Sequence, residues 1–407
     1  MALIVQKYGG SSLATIGHIK RVAKDIIKTQ KRGNRVVVVL SAMQGETDRL
    51  TELSASVSDD LPPGEAVDSI LATGEQISTS LMVIALKELG APARSFMGMQ
   101  VPIITDSAFT KARIIDVKKD RVMKTLDKGM IAVVAGFQGV NENKEITTLG
   151  RGGSDTTAVA IAAALKADMC EIYTDVDGVY TADPNICPQA RHLEKITYNE
   201  MLEMAGLGAK VLQIRSVELA RKFKVPLLVK SSFGGDRFTW IIKEEETEME
   251  DAIISGVTMD LKEAKISVIN IPDEPGIAYK IISPLADASI NVDMIIQNAS
   301  IGGSTDLTFT VPISDLKKAE ELVRKTAGDI GAKEVHTDKN ITKVSLVGIG
   351  VKNHPGVAAK MFQTLADENI NIQMISTSEI RISCVIKAKY GELAVRVLHD
   401  AFELHKE

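Results

Sequence analysis

Residues 276–295 and 356–375 align without gaps at an offset of 80, with ten identical positions in twenty. The shared residues include Gly276/Gly356, Lys280/Lys360, Leu285-Ala286-Asp287/Leu365-Ala366-Asp367 and Ile290-Asn291/Ile370-Asn371. Each copy carries Pro-Gly where a strand hands over to a helix, so one strand-turn-helix-strand unit is used twice. The first copy reads as strand 265–271, helix, strand 292–298, strand 306–311, helix 315–326 and strand 332–337, a complete βαββαβ ferredoxin-like set. The second runs out of chain after its second helix, near Leu404, and is one strand short. A run at 253–259, ahead of the first copy and otherwise partnerless, is the expected replacement. The first module (265–340) would then be inserted inside the second (252–264 plus 341–407).

Ahead of the repeat the periodicity changes. β-Branched runs at 3–7, 35–40, 131–136, 170–174 and 226–229 alternate with helical stretches that include 16–29, 74–89 and 155–167. That alternation predicts an α/β domain over 1–242, with a largely parallel sheet sandwiched by helices. The acidic run 243–251 buries nothing and reads as a linker. With 53 acids against 48 Lys and Arg, the net charge of -5 leaves no basic excess for a phosphate backbone, and nucleic acid is not an expected partner. No apolar run is read as reaching the ~18 residues of a membrane span. Three cysteines far apart make neither a disulfide framework nor a CxxC zinc site, so a cytoplasmic location is expected.

Neither GxGxxG nor GxxxxGK[ST] occurs. Three other loops carry chemistry. Lys7-Tyr8-Gly9-Gly10-Ser11-Ser12 closes the first strand, where glycines let backbone N–H groups approach phosphate and Lys adds compact positive charge. Read alone, it is equally a glycine turn with a solvated Lys. Gly150-Arg151-Gly152-Gly153-Ser154-Asp155 opens an alanine-rich helix, and its forked guanidinium beside a helix N-terminus suits a carboxylate or phosphate. Helix capping accounts for Ser154 or Asp155 but not for Arg151 and the glycines. The third, 174–184, contains Asp175-Val176-Asp177-Gly178; its Gly is too early for an EF-hand and no Glu stands at the twelfth place, so calcium is rejected. Ahead of the linker only His18 and His192 occur, both expected at the surface and neither beside a plausible nucleophile. Phosphoryl transfer to a carboxylate needs no base, because an acid of pKa near ~4 is already ionised at pH 7.

Residues 7–11, Ser41-Ala42-Met43, Thr73-Gly74-Glu75, Val134-Ala135-Gly136-Phe137-Gln138-Gly139, 148–155 and 173–184 together resemble the aspartokinases of the amino acid kinase family, and the two C-terminal copies resemble their paired ACT domains. The resemblance spans essentially the whole chain. It implies ATP-dependent phosphorylation of the L-aspartate side chain to 4-phospho-L-aspartate, the first step toward lysine, threonine, methionine and diaminopimelate. Mg2+ would be held mainly through the ATP phosphates, with no dedicated protein metal site.

By motif, Lys7 would neutralise the transferred phosphoryl group while Gly9, Gly10 and Ser11 bond the phosphates. Ser41, Thr47, Glu75 and Arg151 would hold aspartate, Glu75 at the ammonium and Arg151 at a carboxylate. Ser154 and Asp155 would organise the reacting centre, and Thr174, Asp175, Tyr180, Lys210 and Val211 would line the ATP site. On residue chemistry alone, Glu75 and Thr47 are ordinary helix-start residues. The family usually has Arg where Asn185 stands, and Pro-Gly-Thr near the position of Arg237-Phe238-Thr239-Trp240; the second change is expected to be structural.

The resemblance further implies lysine and/or threonine as effectors at the module interfaces. Asp273, Gly276, Ile277, Ala278, Asn291, Asp293 and Gln297 would form one site, the Asp293 carboxylate suiting a lysine ammonium. Val357, Ala358, Asn371, Ile372, Thr377 and Ser378 would form another, leaning toward threonine. Met294 and Met374 are read as core. A homo-oligomer through these modules is expected, and Met249 would permit an internally initiated regulatory chain. Two alternatives remain at this level: a kinase of another acidic amino acid, which the paired modules disfavour, and an inactive sensor, which the presence of Lys7, Arg151 and Asp155 disfavours.

Overall fold

The computed structural model describes residues 1–58, 63–101, 103–208, 211–243, 254–298, 303–349, 351, 354 and 356–406. The strand Leu3–Tyr8 is buried at all six positions and lies parallel between Arg35–Leu40 and Met169–Thr174. Around it the eight-stranded sheet runs Lys195–Thr197, Phe238–Ile242, Leu227–Ser231, Met169–Thr174, Leu3–Tyr8, Arg35–Leu40, Ile131–Ala135, Ala93–Phe96. The last six strands are parallel, and Phe238–Ile242 joins antiparallel. Phe238, Thr239 and Trp240 of the divergent segment therefore belong to a sheet strand.

A run such as Val36-Val37-Val38-Val39 tolerates full burial because both faces of the sheet are covered. Tyr8, Val36, Val38 and Leu40 share a core with the stripe Ile19, Val22, Ala23 and Ile26 of helix Ile16–Lys31 and with Met82, Val83 and Leu86 of helix Glu65–Glu88. Alternation turns Lys7 to the opposite face, which helix Gly153–Leu165 covers. Eleven of the thirteen residues of that helix are buried, and its small side chains allow close approach to the sheet.

The helix expected at 74–89 begins earlier, at Glu65. Gly74 does not start it but lies inside it, where an added Cβ would come within 2.8 Å of the Ala42 side chain. This helix is also long and apolar enough to cross a membrane by length and composition alone, although polar residues interrupt its apolar run. Its buried face carries Asp68 and Glu75, both hydrogen-bonded to backbone of other segments, as befits a core helix. A small sheet of Ile103–Thr105, Ile114–Val117, Gln138–Val140 and Ile146–Thr148 was not expected from the sequence. His18 and His192, expected at the surface, are half-buried.

The chain divides into two units, each with its own core. The C-terminal unit holds two four-stranded sheets. One is ordered Ile295–Gln297, Ser304–Pro312, Glu263–Pro272, Glu334–Asp338, with helices Ile277–Asp287 and Leu316–Asp329 over a core that includes Val268, Ile281, Phe309 and Val323. The other is ordered Gly256–Asp260, Ile341–Val347, Arg381–Lys387, Met374–Thr377, with helices Val357–Asp367 and Gly391–Ala401. Gly256–Asp260 precedes the first module in sequence yet pairs antiparallel with Ile341–Val347 of the second. Ile253, like most of the acidic linker and Met249, lies outside the described residues. Met294 and Met374 are buried together with Ile341 and Val385.

Tyr180–Arg191, expected within the 1–242 domain, belongs instead to this C-terminal unit. Ala182 and Cys187 pack in one core with Val257, Val395 and Leu398. The Val257 N–H donates to the Thr181 carbonyl at 2.7 Å, and the Thr181 hydroxyl lies 2.9 Å from Nε2 of His399. Asn185 closes a local turn, donating its backbone N–H and its side-chain amide to the Asp183 carboxylate.

Candidate active site

In a doubly wound sheet, ligand sites form where loops leave the C-terminal ends of the parallel strands. Here four such ends stand side by side: Tyr8 leads to Gly9 and Gly10, Leu40 to Ser41, Ala135 to Gly136, and Thr174 to Asp175. The Gly9 N–H donates to the Tyr173 carbonyl at 3.3 Å and the Ser41 N–H to the Tyr8 carbonyl at 3.1 Å, which ties adjacent loops together at the rim.

Lys7 lies beneath this rim, 8% exposed, with its ammonium 2.6 Å from Oδ1 of Asp155, itself 7% exposed. Asp155 sits in the first turn of helix Gly153–Leu165, where unpaired N–H groups and the helix dipole favour negative charge. Gly152 caps that helix with φ of 71°, a left-handed conformation available to Gly without a Cβ penalty, and no side chain takes up the free N–H groups. Ser154, Thr156 and Thr157 are buried in the same turn. The result is a buried cation beside an uncapped helix N-terminus, an arrangement that attracts anionic oxygens.

Glu75, 3% exposed, reaches from helix Glu65–Glu88 to the strand end at Leu40, where its Oε1 accepts the Ala42 N–H at 2.9 Å. Its other oxygen, Oε2, is buried without a hydrogen-bond partner. Burial outweighs the Ala42 hydrogen bond and pushes the carboxyl up to about 8. A buried acid with one unused oxygen is suited to a ligand ammonium. One helical turn on, Ser78 donates to the Ser41 carbonyl at 2.7 Å and holds that strand end.

The structure thus gathers Lys7, Gly9, Gly10, Ser41, Glu75, Ser154 and Asp155 around the ends of three neighbouring strands. Ser11 opens a short 3-10 turn after Gly10, and Thr47 lies half-buried in the first turn of helix Glu46–Ala55. Arg151 is exposed at the glycine loop. Thr174 donates its hydroxyl to the Asp175 carboxylate at 3.0 Å, both at the strand end. Val211 is half-buried, Lys210 lies outside the described residues, and Tyr180 belongs to the second unit.

Two positioning residues were missed in the sequence. Asp68 is fully buried and accepts hydrogen bonds from the Thr110 N–H and from both the N–H and hydroxyl of Thr148, at 2.6–3.1 Å. Arg215 donates to the carbonyls of Leu149 and Ala112. Together they hold both sides of the segment leading into the Gly150–Asp155 loop. Asp68 stands two turns before Glu75 on the same buried helix face, so two acids on an apolar stripe were a readable signal. Arg215 offered none.

Of the effector residues, Asp273, Asn291, Gln297, Asn371 and Thr377 are exposed, while Ala278, Val357, Ala358, Ile372 and Ser378 are half-buried and Ile277 is buried. Gly276 and Gly356 each cap a helix with no side-chain hydrogen bond. Asp293 is already engaged: its carboxylate pairs with the ammonium of Lys343, a residue only 3% exposed on the neighbouring module's strand.

Residues 2–231 match the amino acid kinase family, and residues 266–326 and 344–402 match the ACT domain. The aspartate kinase of Pseudomonas putida is 54% identical over 404 residues, covering 99% of this chain and 98% of its own length. The crystal structure of aspartate kinase from Synechocystis, at 43% identity and a TM-score of 0.56, covers 99% of this chain and 70% of that one. E. coli aspartokinase III, crystallised with aspartate and ADP, shares the fold at a TM-score of 0.82 and 24% identity, covering 98% of this chain and 99% of that one. On its glycine loops, its buried Lys7–Asp155 centre and these full-length likenesses, the chain belongs to the aspartokinases of the amino acid kinase family.

Proposed function

We propose that the chain transfers the γ-phosphoryl group of ATP to the side-chain carboxylate of L-aspartate, giving 4-phospho-L-aspartate and ADP, at the head of lysine, threonine and methionine biosynthesis. The observation that carries this is the Lys7–Asp155 pair at a strand end against an uncapped helix N-terminus. The substrate identity rests on the name and full-length similarity of the relatives.

In this reading the Gly9-Gly10-Ser11 backbone receives the phosphates, and Thr174, Asp175 and Val211 face the nucleotide. Lys7 meets the charge that spreads over the transferred group, with Asp155 keeping the ammonium aimed. Glu75 takes the aspartate ammonium and Arg151 folds in from its exposed position to fork a carboxylate, while Ser41, Thr47 and Ser154 supply hydroxyls. The nucleophile is the ionised substrate carboxylate itself, so no base is needed. Magnesium would come in on the ATP phosphates, since Asp155 Oδ1 is already paired with the Lys7 ammonium. Such an ion would supply charge neutralisation between the phosphate oxygens.

Lysine and/or threonine would inhibit through the ACT modules, with the uncapped helix starts at Gly276 and Gly356 receiving the effector carboxylate. An assembly of several copies through these modules, with the effector sites completed by a neighbour, is part of the same reading. The test supplies ATP, Mg2+ and a panel of acidic amino acids, follows ADP release and traps the acyl phosphate with hydroxylamine. Aspartate-dependent hydroxamate that disappears in Lys7→Ala, with the fold retained, is expected. Turnover confined to another acid, or near wild-type kcat in Lys7→Ala, would overturn it.

A further inference from the structure

The last helix, Gly391–Ala401, ends in a turn whose geometry is set by backbone alone. The Leu404 N–H donates to the His399 carbonyl at 3.1 Å, the Glu403 N–H donates to the Asp400 carbonyl at 3.0 Å, and Glu403 takes a φ of 53°. This paired 6→1 and 5→2 closure reverses the chain, and Leu404 is buried beneath it. His405 is thereby carried back to the helix end, its ring centroid 6.3 Å from that of His399. One donor atom from each of His399, Asp400 and His405 lies within 4.8 Å of the others.

His399 is the anchor of this group. Its ring is 0% exposed, and Nε2 is held 2.9 Å from the Thr181 hydroxyl, which also accepts the Arg191 N–H. Nδ1, buried and without a hydrogen-bond partner, faces the Asp400 carboxylate at 4.0 Å. A ring nitrogen so placed is costly in an apolar core unless something binds it. When Nε2–H is given to Thr181, the Nδ1 lone pair points at the cluster, the way a metal-bound imidazole is oriented by the partner of its other nitrogen.

We propose that His399 Nδ1, Asp400 and His405 bind one divalent transition-metal ion of the zinc class. Donors on one such ion, bonded at about 2.0–2.2 Å, stand roughly 3.3 Å apart. The exposed side chains of Asp400 and His405 need only swing inward by about an ångström, while His399 stays fixed. Two imidazoles and a carboxylate select a borderline-soft ion over Mg2+ or Ca2+, and the remaining positions go to water. The dipole of the helix places its negative end at this C-terminus and favours a cation there. Arg191 opposes one, while the Asp400 carboxylate, 4.0 Å from His399 Nδ1, favours it. The bound ion would tie the C-terminal turn, through His399 and Thr181, to the Tyr180–Arg191 segment.

The full chain is stripped with chelator and titrated with Zn2+ alone against a chromophoric zinc indicator, with Mg2+ in excess, and thermal unfolding is followed in parallel. Expected are one ion per chain, a Kd of about a micromolar or tighter, and a zinc-dependent rise in the unfolding temperature of the C-terminal unit. H405Q and D400N, both at exposed positions that leave the His399–Thr181 contact intact, should each weaken binding by about tenfold or more and abolish the rise. H336Q, a control at the exposed His336–Glu334 pair, should bind as wild type. Absence of zinc binding, or equal affinity in wild type, H405Q and D400N, would overturn the proposal.

Discussion

Glu75→Gln separates what the buried acid does for the empty protein from what it does for substrate. Burial raises this carboxyl from an ordinary 4.5 to about 8, so the native state binds its proton more tightly than the unfolded chain. Such a group stabilises fully below pH 4.5, and the contribution is lost as pH rises through 8. At 1.36 kcal/mol per pKa unit, the loss reaches about 3 kcal/mol at pH 7 and approaches about 5 kcal/mol above pH 8. Gln keeps the acceptor for the Ala42 N–H without the charge. Glu75→Gln should therefore unfold at the wild-type temperature at pH 4 and at a higher one at pH 8.5, in the transition of the N-terminal unit. Aspartate reverses the preference, because its ammonium requires the ionised form. With about one site in ten ionised at pH 7, the aspartate KM should fall about tenfold between pH 7 and 9, and calorimetry in two buffers should detect nearly one proton released per aspartate bound at pH 7. In Glu75→Gln the KM should rise by about 100-fold and lose this slope. A flat wild-type KM between pH 6.5 and 8.5, or the same slope in the variant, would refute the assignment of Glu75 to the ammonium.

Other outcomes follow from the same structure. Arg151→Lys should mainly raise the aspartate KM, since a point charge cannot reproduce the guanidinium fork; a change confined to the ATP KM would assign Arg151 to the other substrate. Asp68→Asn should cost roughly 2–4 kcal/mol in denaturant unfolding of the N-terminal unit, because a carboxamide oxygen cannot serve all the Thr110 and Thr148 donors, and unchanged stability together with unchanged aspartate KM would remove Asp68 as a positioning residue. Asp293→Ala should weaken inhibition by lysine. Lys343→Met, which removes the ammonium already paired with that carboxylate, should instead lower the lysine concentration giving half-inhibition. Identical inhibition in both variants would exclude Asp293 from the effector site.

The central strands were legible because runs such as 35–40 are apolar on both faces, a pattern that only a sheet covered on each side satisfies. The small sheet was not, since strands of three or four residues with mixed polarity carry too little periodicity. Arg151 and Asp155 stood out in a glycine-rich motif at a helix start, whereas Lys7 was ambiguous on its own and Glu75 was marked only by the family resemblance. What brings Asp155 to Lys7, Asp68 to Thr148 or Arg215 to Leu149 is contact across long sequence separations, and no local pattern records it. The ACT modules announced themselves by self-similarity, whereas the pairing of Asp293 with Lys343 depends on how one module's strand lies against the other's. The residues alone determined the central strands, the repeated module and the chemistry at hand. Tertiary packing alone decided that Tyr180–Arg191 joins the C-terminal unit and that His399 is buried beneath it, because burial and pKa belong to the completed environment and not to the side chain.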